Sequence, residues 1–379
     1  MESIRVLHLS ESNQWSGGSV QLLSSAVELR AAGFESLVAC PAAGALGKKA
    51  AESGFEVFNL KPSGDADIVS AWKLARFIDS RRVDIIHAHH PKVHACALLA
   101  KLFSKTKPAL VVTRRVIFPL KNTFFGRLKY DNSLVDGFIC VSDAVKKILN
   151  DYGIPEQKTV TIYSGVDTGI FKPAPRNSAL AGELSLPEGT AVVGLVGNYS
   201  ANKGHWVLVK AAAALAAEGR NIIFVFAGNG TDSGELAGLI KKEGLDPKFV
   251  RIAGFQADVP RLMSLFDISV SSALKEGLAG SIREAMAMGV PVIAGATGGN
   301  AEIVLDGKTG LLFTPGNWRE LAEKIKLLID APSKAREYAK NAKELVERKF
   351  SLKTTARQLS DYYQTLLKNR APVRLRRTG

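Results

Sequence analysis

Residues 268–294 read ISVSSALKEGLAGSIREAMAMGVPVIA. The run opens on apolar, strand-like residues (268–271), passes through a glycine-bearing loop into an Ala/Met-rich helical segment, and closes on a second apolar strand (290–294). Two strands joined through a helix must lie parallel, because a tight hairpin cannot connect them. The strands are short and rich in Val and Ile, as strands covered on both faces must be.

The same alternation extends outward over nearly the whole chain. Strand-like runs stand at 4–9, 35–40, 55–60, 84–87, 109–113, 137–141 and 158–162, then at 191–196, 222–227, 249–253 and 310–313. Helical stretches such as 20–32 and 68–80 separate them, so the fold class is α/β with parallel sheets wrapped by helices. The rhythm breaks over 166–187, where Pro173, Pro175 and Pro187 join Gly169 and Gly182. At 379 residues the chain exceeds one comfortable core. The break therefore predicts two facing Rossmann-like domains, 1–170 and 171–350. Segment 351–379 is read as a helix capped by Ser351, crossing back to the first domain and ending in a basic tail. Parallel sheets bind ligands at the carboxyl ends of their strands, so the chemistry is expected there.

Composition narrows the function. Hydrophobic residues make up 46% and charged residues 23%, a globular balance. No apolar run approaches the ~20 residues of a membrane span. The opening MESIRVLHLS lacks the layout of a signal peptide, which predicts a cytoplasmic chain. Cys40, Cys96 and Cys140 lie in apolar surroundings and are expected as buried thiols. The net charge of +14 favours anionic partners. Basic residues cluster at Arg114, Arg115, Lys121, Arg127 and Lys129, and the tail reads KNRAPVRLRRTG. With no zinc finger, aromatic RNA-stacking motif or helix-turn-helix in view, nucleic acid is set aside.

Four segments could carry chemistry. Gly17 and Gly18 follow the first strand and open the first helix, where backbone N–H groups can meet an anion; an ordinary strand–helix turn reads the same way. The segment VGNYSANKG (196–204) presents Lys203 at the head of a helix, either as a phosphate counter-ion or as a solvated surface group. In 271–289, Glu276 stands in a loop and Glu284 on the helix after it, with Gly277 and Gly280 at the junction; carboxylates also gather at helix starts for dipole reasons alone. The segment HAHHPK (87–92) ends a strand. Its histidines invite a metal, but no carboxylate or cysteine is spaced beside them, and His87 and His89 should alternate across the strand rather than converge, so no metal is expected.

Taken in order, these segments resemble the family-4 retaining glycosyltransferases of the GT-B fold, over nearly the whole chain. The most specific parts are Glu276-x7-Glu284 continuing as EAMAMGVPVIA, GGNAE ending at Glu302, DGKTGLL (306–312), and the linker-like IYSGVDTGIFKP (162–173). The resemblance implies transfer of a sugar from a nucleoside-diphosphate donor to a cell-envelope glycan or glycolipid such as lipopolysaccharide core, without metal or other cofactor. It implies an N-terminal acceptor domain and a C-terminal donor domain. Glu276 would contact donor hydroxyls, Glu284 the ribose, and Lys203 the diphosphate, helped by amides near Gly17, Gly18, Leu278 and Ala279; Gly277 and Glu302 would complete the pocket.

The chain departs from that pattern twice. Asn198 stands where the diphosphate loop usually has arginine, and Thr113-Arg114-Arg115 replaces the usual Thr-x-His. His89 is then expected as the catalytic histidine, with His90, Arg114 and Arg115 on an anionic acceptor. The basic groups would hold the enzyme peripherally on an anionic membrane. A sugar-nucleotide epimerase and a non-catalytic glycan-binding relative are the alternatives; the absent G-x-G-x-x-G fingerprint argues against a dehydrogenase.

Overall fold

The computed structural model describes residues 3–120 and 123–374. Lys121 and the last five residues of the basic tail lie outside them. The chain forms two compact units, one of 1–165 with 352–379, the other of 166–351.

Unit 1 alternates without interruption: β1 (Arg5–Leu9), α1 (Gly17–Ala31), β2 (Glu35–Cys40), α2 (Ala45–Glu52), β3 (Val57–Asn59), α3 (Ile68–Ser80), β4 (Ile85–Ala88), α4 (Pro91–Phe103), β5 (Ala109–Arg114), α5 (Phe124–Tyr130), β6 (Gly137–Cys140), α6 (Asp143–Asp151) and β7 (Thr159–Thr161). Its sheet runs β3-β2-β1-β4-β5-β6-β7, parallel throughout. Unit 2 continues with α7 (Ser178–Glu183), β8 (Ala191–Val196), α8 (His205–Ala217), β9 (Ile222–Ala227), α9 (Gly234–Lys242), β10 (Val250–Gly254), α10 (Val259–Met263), β11 (Ile268–Ser271), α11 (Gly280–Ala287), β12 (Val292–Gly295), α12 (Asn300–Ile303), β13 (Leu311–Phe313), α13 (Trp318–Asp330) and α14 (Pro332–Lys349). Its parallel sheet runs β10-β9-β8-β11-β12-β13.

Both orders come from the same physics. A right-handed crossover after the first strand builds outward on one side, and the chain then returns to build on the other. That return leaves β1 beside β4 and β8 beside β11, with their following loops diverging to opposite faces. Each divergence is a crevice at the carboxyl edge of the sheet.

Apolar strand residues fill both interiors. Val193, Leu195, Phe224, Phe226, Ile268 and Ile293 are buried beneath α8 and α13 in unit 2. Val6, Ile85, Val111 and Ile139 are buried in unit 1. The three cysteines are free and buried.

The last helix, α15 (Leu352–Arg374), belongs to unit 1, where it packs on α1. Tyr363 is fully buried and its hydroxyl lies 2.7 Å from His87 Nδ1. Arg370 reaches Asp136 at 3.1 Å, and Asp136 also pairs with the buried Lys101. These contacts tie α15 to the sheet of its own unit.

Candidate functional site

The crevice of unit 2 brings together residues far apart in sequence. After β8 the chain makes a short 3-10 turn, Ala201–Lys203, and enters α8 through Gly204. Gly204 has φ +63°, and a Cβ there would run into the carbonyl oxygen of Ser272. Only glycine lets the two loops approach so closely. Ser272 Oγ donates to Lys203 O at 3.0 Å and Leu274 N to Asn202 O at 2.8 Å, fixing the loop after β11 against the loop after β8. The result is an ion pair in which Lys203 Nζ donates to Glu276 Oε2. The Lys203 side chain stays 35% exposed and that of Glu276 16%, so the pair faces solvent on one side.

Beside the pair lies the start of α11. Its N-cap, Ala279, makes no side-chain capping bond, which leaves first-turn N–H groups for an outside acceptor. Ala279 N itself donates to Asn300 Oδ1 at 3.2 Å, and Gly277 O accepts from Gly299 N at 3.0 Å, so the 298–302 segment braces the Glu276 loop. Leu278 and Ala279 are buried, and Glu302 sits on α12 immediately after that brace. Glu284 turns back toward the helix start; its carboxylate and the Arg283 guanidinium would stand 3.5 and 3.8 Å from a Cβ on Gly280. Burial pushes the Glu284 carboxyl up, against the attraction of Arg283 and Lys203. Arg283 is 3% exposed; burial pulls it down to about 10, while Glu284 and then Glu276 hold its charge.

Asn198 bridges two loops of the same unit. Its Oδ1 accepts from Asn229 N at 3.2 Å, and Tyr199 N donates to Asn229 O at 2.8 Å, which pins the loop after β8 to that after β9. Arg283 was not singled out from sequence. The available signal was a basic residue on an inward helix position directly before Glu284.

In unit 1, the crevice between β1 and β4 holds imidazoles. His8, in register with His87, was also missed, since a lone histidine in an apolar strand carries no motif. His8, His87 and His89 are buried, with ligand nitrogens within 4.8 Å of one another. The expectation that His87 and His89 diverge is overturned: their ring centroids are 4.0 Å apart. Residues two apart in extended backbone point to the same face, so β4 (Ile85–Ala88) carries His87 and the next-but-one residue, His89, to one side.

Hydrogen bonds account for most of this cluster. Arg115 Nη2 lies 3.0 Å from His89 Nδ1, which must accept, so His89 Nε2–H donates to His8 Nδ1 at 3.3 Å. His8 then carries its proton on Nε2, a buried atom with no protein partner. His87 is held between Thr113 Oγ1, at 2.5 Å, and Tyr363. Burial holds all three well below the ordinary imidazole value, His8 at about 4, and Arg115 adds repulsion at His87 and His89. They are neutral near pH 7.

With Gln21 and Ser164, His87 and His89 line a cavity of about 20 Å³, room for a water-sized group. Arg115 also donates to Ser164 Oγ at 3.2 Å. Arg114 is buried and donates to Phe118 O, so of the arginine pair only Arg115 lines this cavity. His90 bonds Ser10 Oγ at 3.1 Å and lies against Gly18, whose Cβ would stand 3.5 Å from its Nε2. Gly17 begins α1, and a Cβ on it would meet open space.

Each unit is a doubly wound parallel domain with polar groups at its switch point, and unit 2 adds a lysine–carboxylate pair beside a helix start. The family models identify the class as glycosyltransferase. "Glycosyltransferase Family 4" matches residues 15–169 and "Glycosyl transferases group 1" matches residues 178–345, and the chain belongs to these family-4 glycosyltransferases. EpsD of Bacillus subtilis is 27% identical over 306 residues, covering 78% of this chain and 80% of that one. The alpha-D-kanosaminyltransferase of Streptomyces kanamyceticus is 33% identical over 177 residues, and the chain spans about half of its length (46% of each). The crystal structure of Anabaena HepE with UDP-glucose superposes with a TM-score of 0.83 at 24% identity, over 96% of this chain and all of that one.

Proposed function

We propose that this glycosyltransferase moves a sugar, with retention of configuration, from a nucleoside-diphosphate donor bound in unit 2 to an anionic cell-envelope acceptor recognised by unit 1. The Lys203–Glu276 pair beside the α11 start carries the reading. A diphosphate approaching that helix start competes with Glu276 for Lys203 and meets first-turn N–H groups. Glu276 is then released to accept from sugar hydroxyls, while Glu284 accepts from the ribose. Lys203 and the helix start stabilise the charge that develops on the departing diphosphate, the part a divalent metal plays elsewhere. The complex of HepE with UDP-glucose supports a uridine donor by analogy of fold.

On the acceptor side, Arg115 offers its charge to a phosphate or carboxylate, as on a lipopolysaccharide core or a related glycolipid. Neutral His89 orients that guanidinium, and His90 adds a polar contact near Gly18. No described helix is long and apolar enough to cross a membrane. The basic balance suits a cytoplasmic enzyme lying peripherally on an anionic bilayer.

Thermal unfolding with UDP, GDP, ADP and CMP tests the donor half. A rise in melting temperature with one nucleotide, lost in Lys203→Ala, is expected. No shift with any of them, or an undiminished shift in the variant, removes the proposal.

A further inference from the structure

The buried face of α11 carries an arginine among apolar groups. Its buried residues are Ile282, Arg283, Ala285, Met286 and Ala287, and Arg283 is 3% exposed. The side chain does not escape toward water. Arg283 Nε donates to Ala279 O at 3.3 Å, one turn back, so the guanidinium lies along the helix toward its own start. There Arg283 Nη2 and Glu284 Oε1 close over Gly280, 3.8 and 3.5 Å from the place of a Cβ. Burial opposes a cation at this position, and so does the positive end of the helix dipole. An apolar residue would serve the packing at lower cost, so stability alone does not account for the arginine.

Four charges are coupled around it. Lys203 donates to Glu276, Glu284 feels both Arg283 and Lys203, and Arg283 feels Glu284 and then Glu276. Two cations stand against two carboxylates, and the crevice is balanced without ligand. A diphosphate upsets that balance. Drawing Lys203 to the ligand strips Glu276 of its hydrogen-bonded cation just as more negative charge arrives beside it. The Lys203 side chain is 35% exposed and can turn; Arg283 is enclosed and stays in place. Lys275, next to Glu276 in the chain, is exposed, where water weakens its charge.

We propose that Arg283 is the stationary counter-ion of the donor crevice, compensating Glu276 and Glu284 while Lys203 leaves Glu276 for the diphosphate of the sugar nucleotide. It acts through the two carboxylates rather than by touching the donor, and is a positioning residue. Its charge lets one lysine exchange partners without leaving a carboxylate uncompensated at the helix start. The inference rests on the donor reading of unit 2.

Calorimetric titration of the full chain with UDP tests it in wild type, Arg283→Lys, Arg283→Met and Arg283→Met/Glu276→Gln, with the melting temperature of each. Arg283→Met should weaken UDP binding by about tenfold, the scale of one charge-assisted contact. Arg283→Lys restores the charge and should recover most of that loss. Arg283→Met/Glu276→Gln should also bind UDP more tightly than Arg283→Met, because no carboxylate then needs the deleted cation. A purely structural arginine would give a lower melting temperature and no such rescue. If Arg283→Met does not fold, Arg283→Gln with and without Glu276→Gln makes the same comparison. A Kd for Arg283→Met within twofold of wild type, or a loss that Glu276→Gln leaves unchanged, overturns the inference. The two readings fail differently: wild type that binds no UDP removes the donor reading and this role with it, whereas normal binding by wild type and by Arg283→Met removes this role alone.

Discussion

Lys203→Ala is expected to damage nucleotide binding far more than folding. The Lys203–Glu276 pair is partly open to water, with side chains 35% and 16% exposed, so its worth to stability is about 1 kcal/mol or less. The same ammonium facing a diphosphate makes a charge-assisted hydrogen bond worth about 1.5–3 kcal/mol, or roughly 10- to 150-fold in Kd. The deletion also leaves the Glu276 carboxylate facing an anionic ligand, which adds repulsion. Lys203→Ala/Glu276→Gln should therefore bind UDP more tightly than Lys203→Ala alone. Calorimetric titration with UDP, paired with thermal unfolding of each protein, measures both quantities. A Kd for Lys203→Ala within twofold of wild type would refute the assignment of Lys203 to the diphosphate. A loss of binding matched by a collapse in melting temperature would show that the pair is structural.

Gly204→Ala should lower stability by about 1–3 kcal/mol, because φ +63° is strained for alanine and its Cβ meets Ser272 O; a fall in urea midpoint with unchanged slope checks it. Burial raises the Glu284 carboxyl, while Arg283 and Lys203 hold it ionised. Nucleotide binding that needs the carboxylate should thus weaken as pH falls through the raised value. In Arg283→Met the weakening should begin at higher pH; a superimposable pH profile for UDP binding in the two proteins would contradict this. Tyr363→Phe deletes the hydroxyl that bonds His87 inside unit 1 and should cost about 1–2 kcal/mol, read as a lower melting temperature with the UDP response retained.

Much of this protein was legible in one dimension. Runs rich in Val, Ile and Leu marked the buried strands. The spacing of Glu276 and Glu284 placed one carboxylate before a helix and one on it, as observed. Arg283 was harder to read, because basic residues on helices normally face water and only the packed helix shows this one to be buried. His8 looked like part of an apolar strand until β1 lay against β4. Arg114 and Arg115 are adjacent in sequence and indistinguishable there. Alternation at the strand end sends one to the Phe118 carbonyl and the other to His89.

The sequence by itself determined the periodicity of the elements, the parallel sheets that βαβ units impose, and the glycines that allow close turns. These are local properties, set by side-chain spacing and backbone sterics. Which strand ends become neighbours was decided only by tertiary structure, since strand order follows from burying every apolar face at once. That order brings Lys203 to Glu276 across 73 residues and Tyr363 to His87 across 276. The candidate sites therefore sit where the strand order reverses, a place that no window of sequence contains.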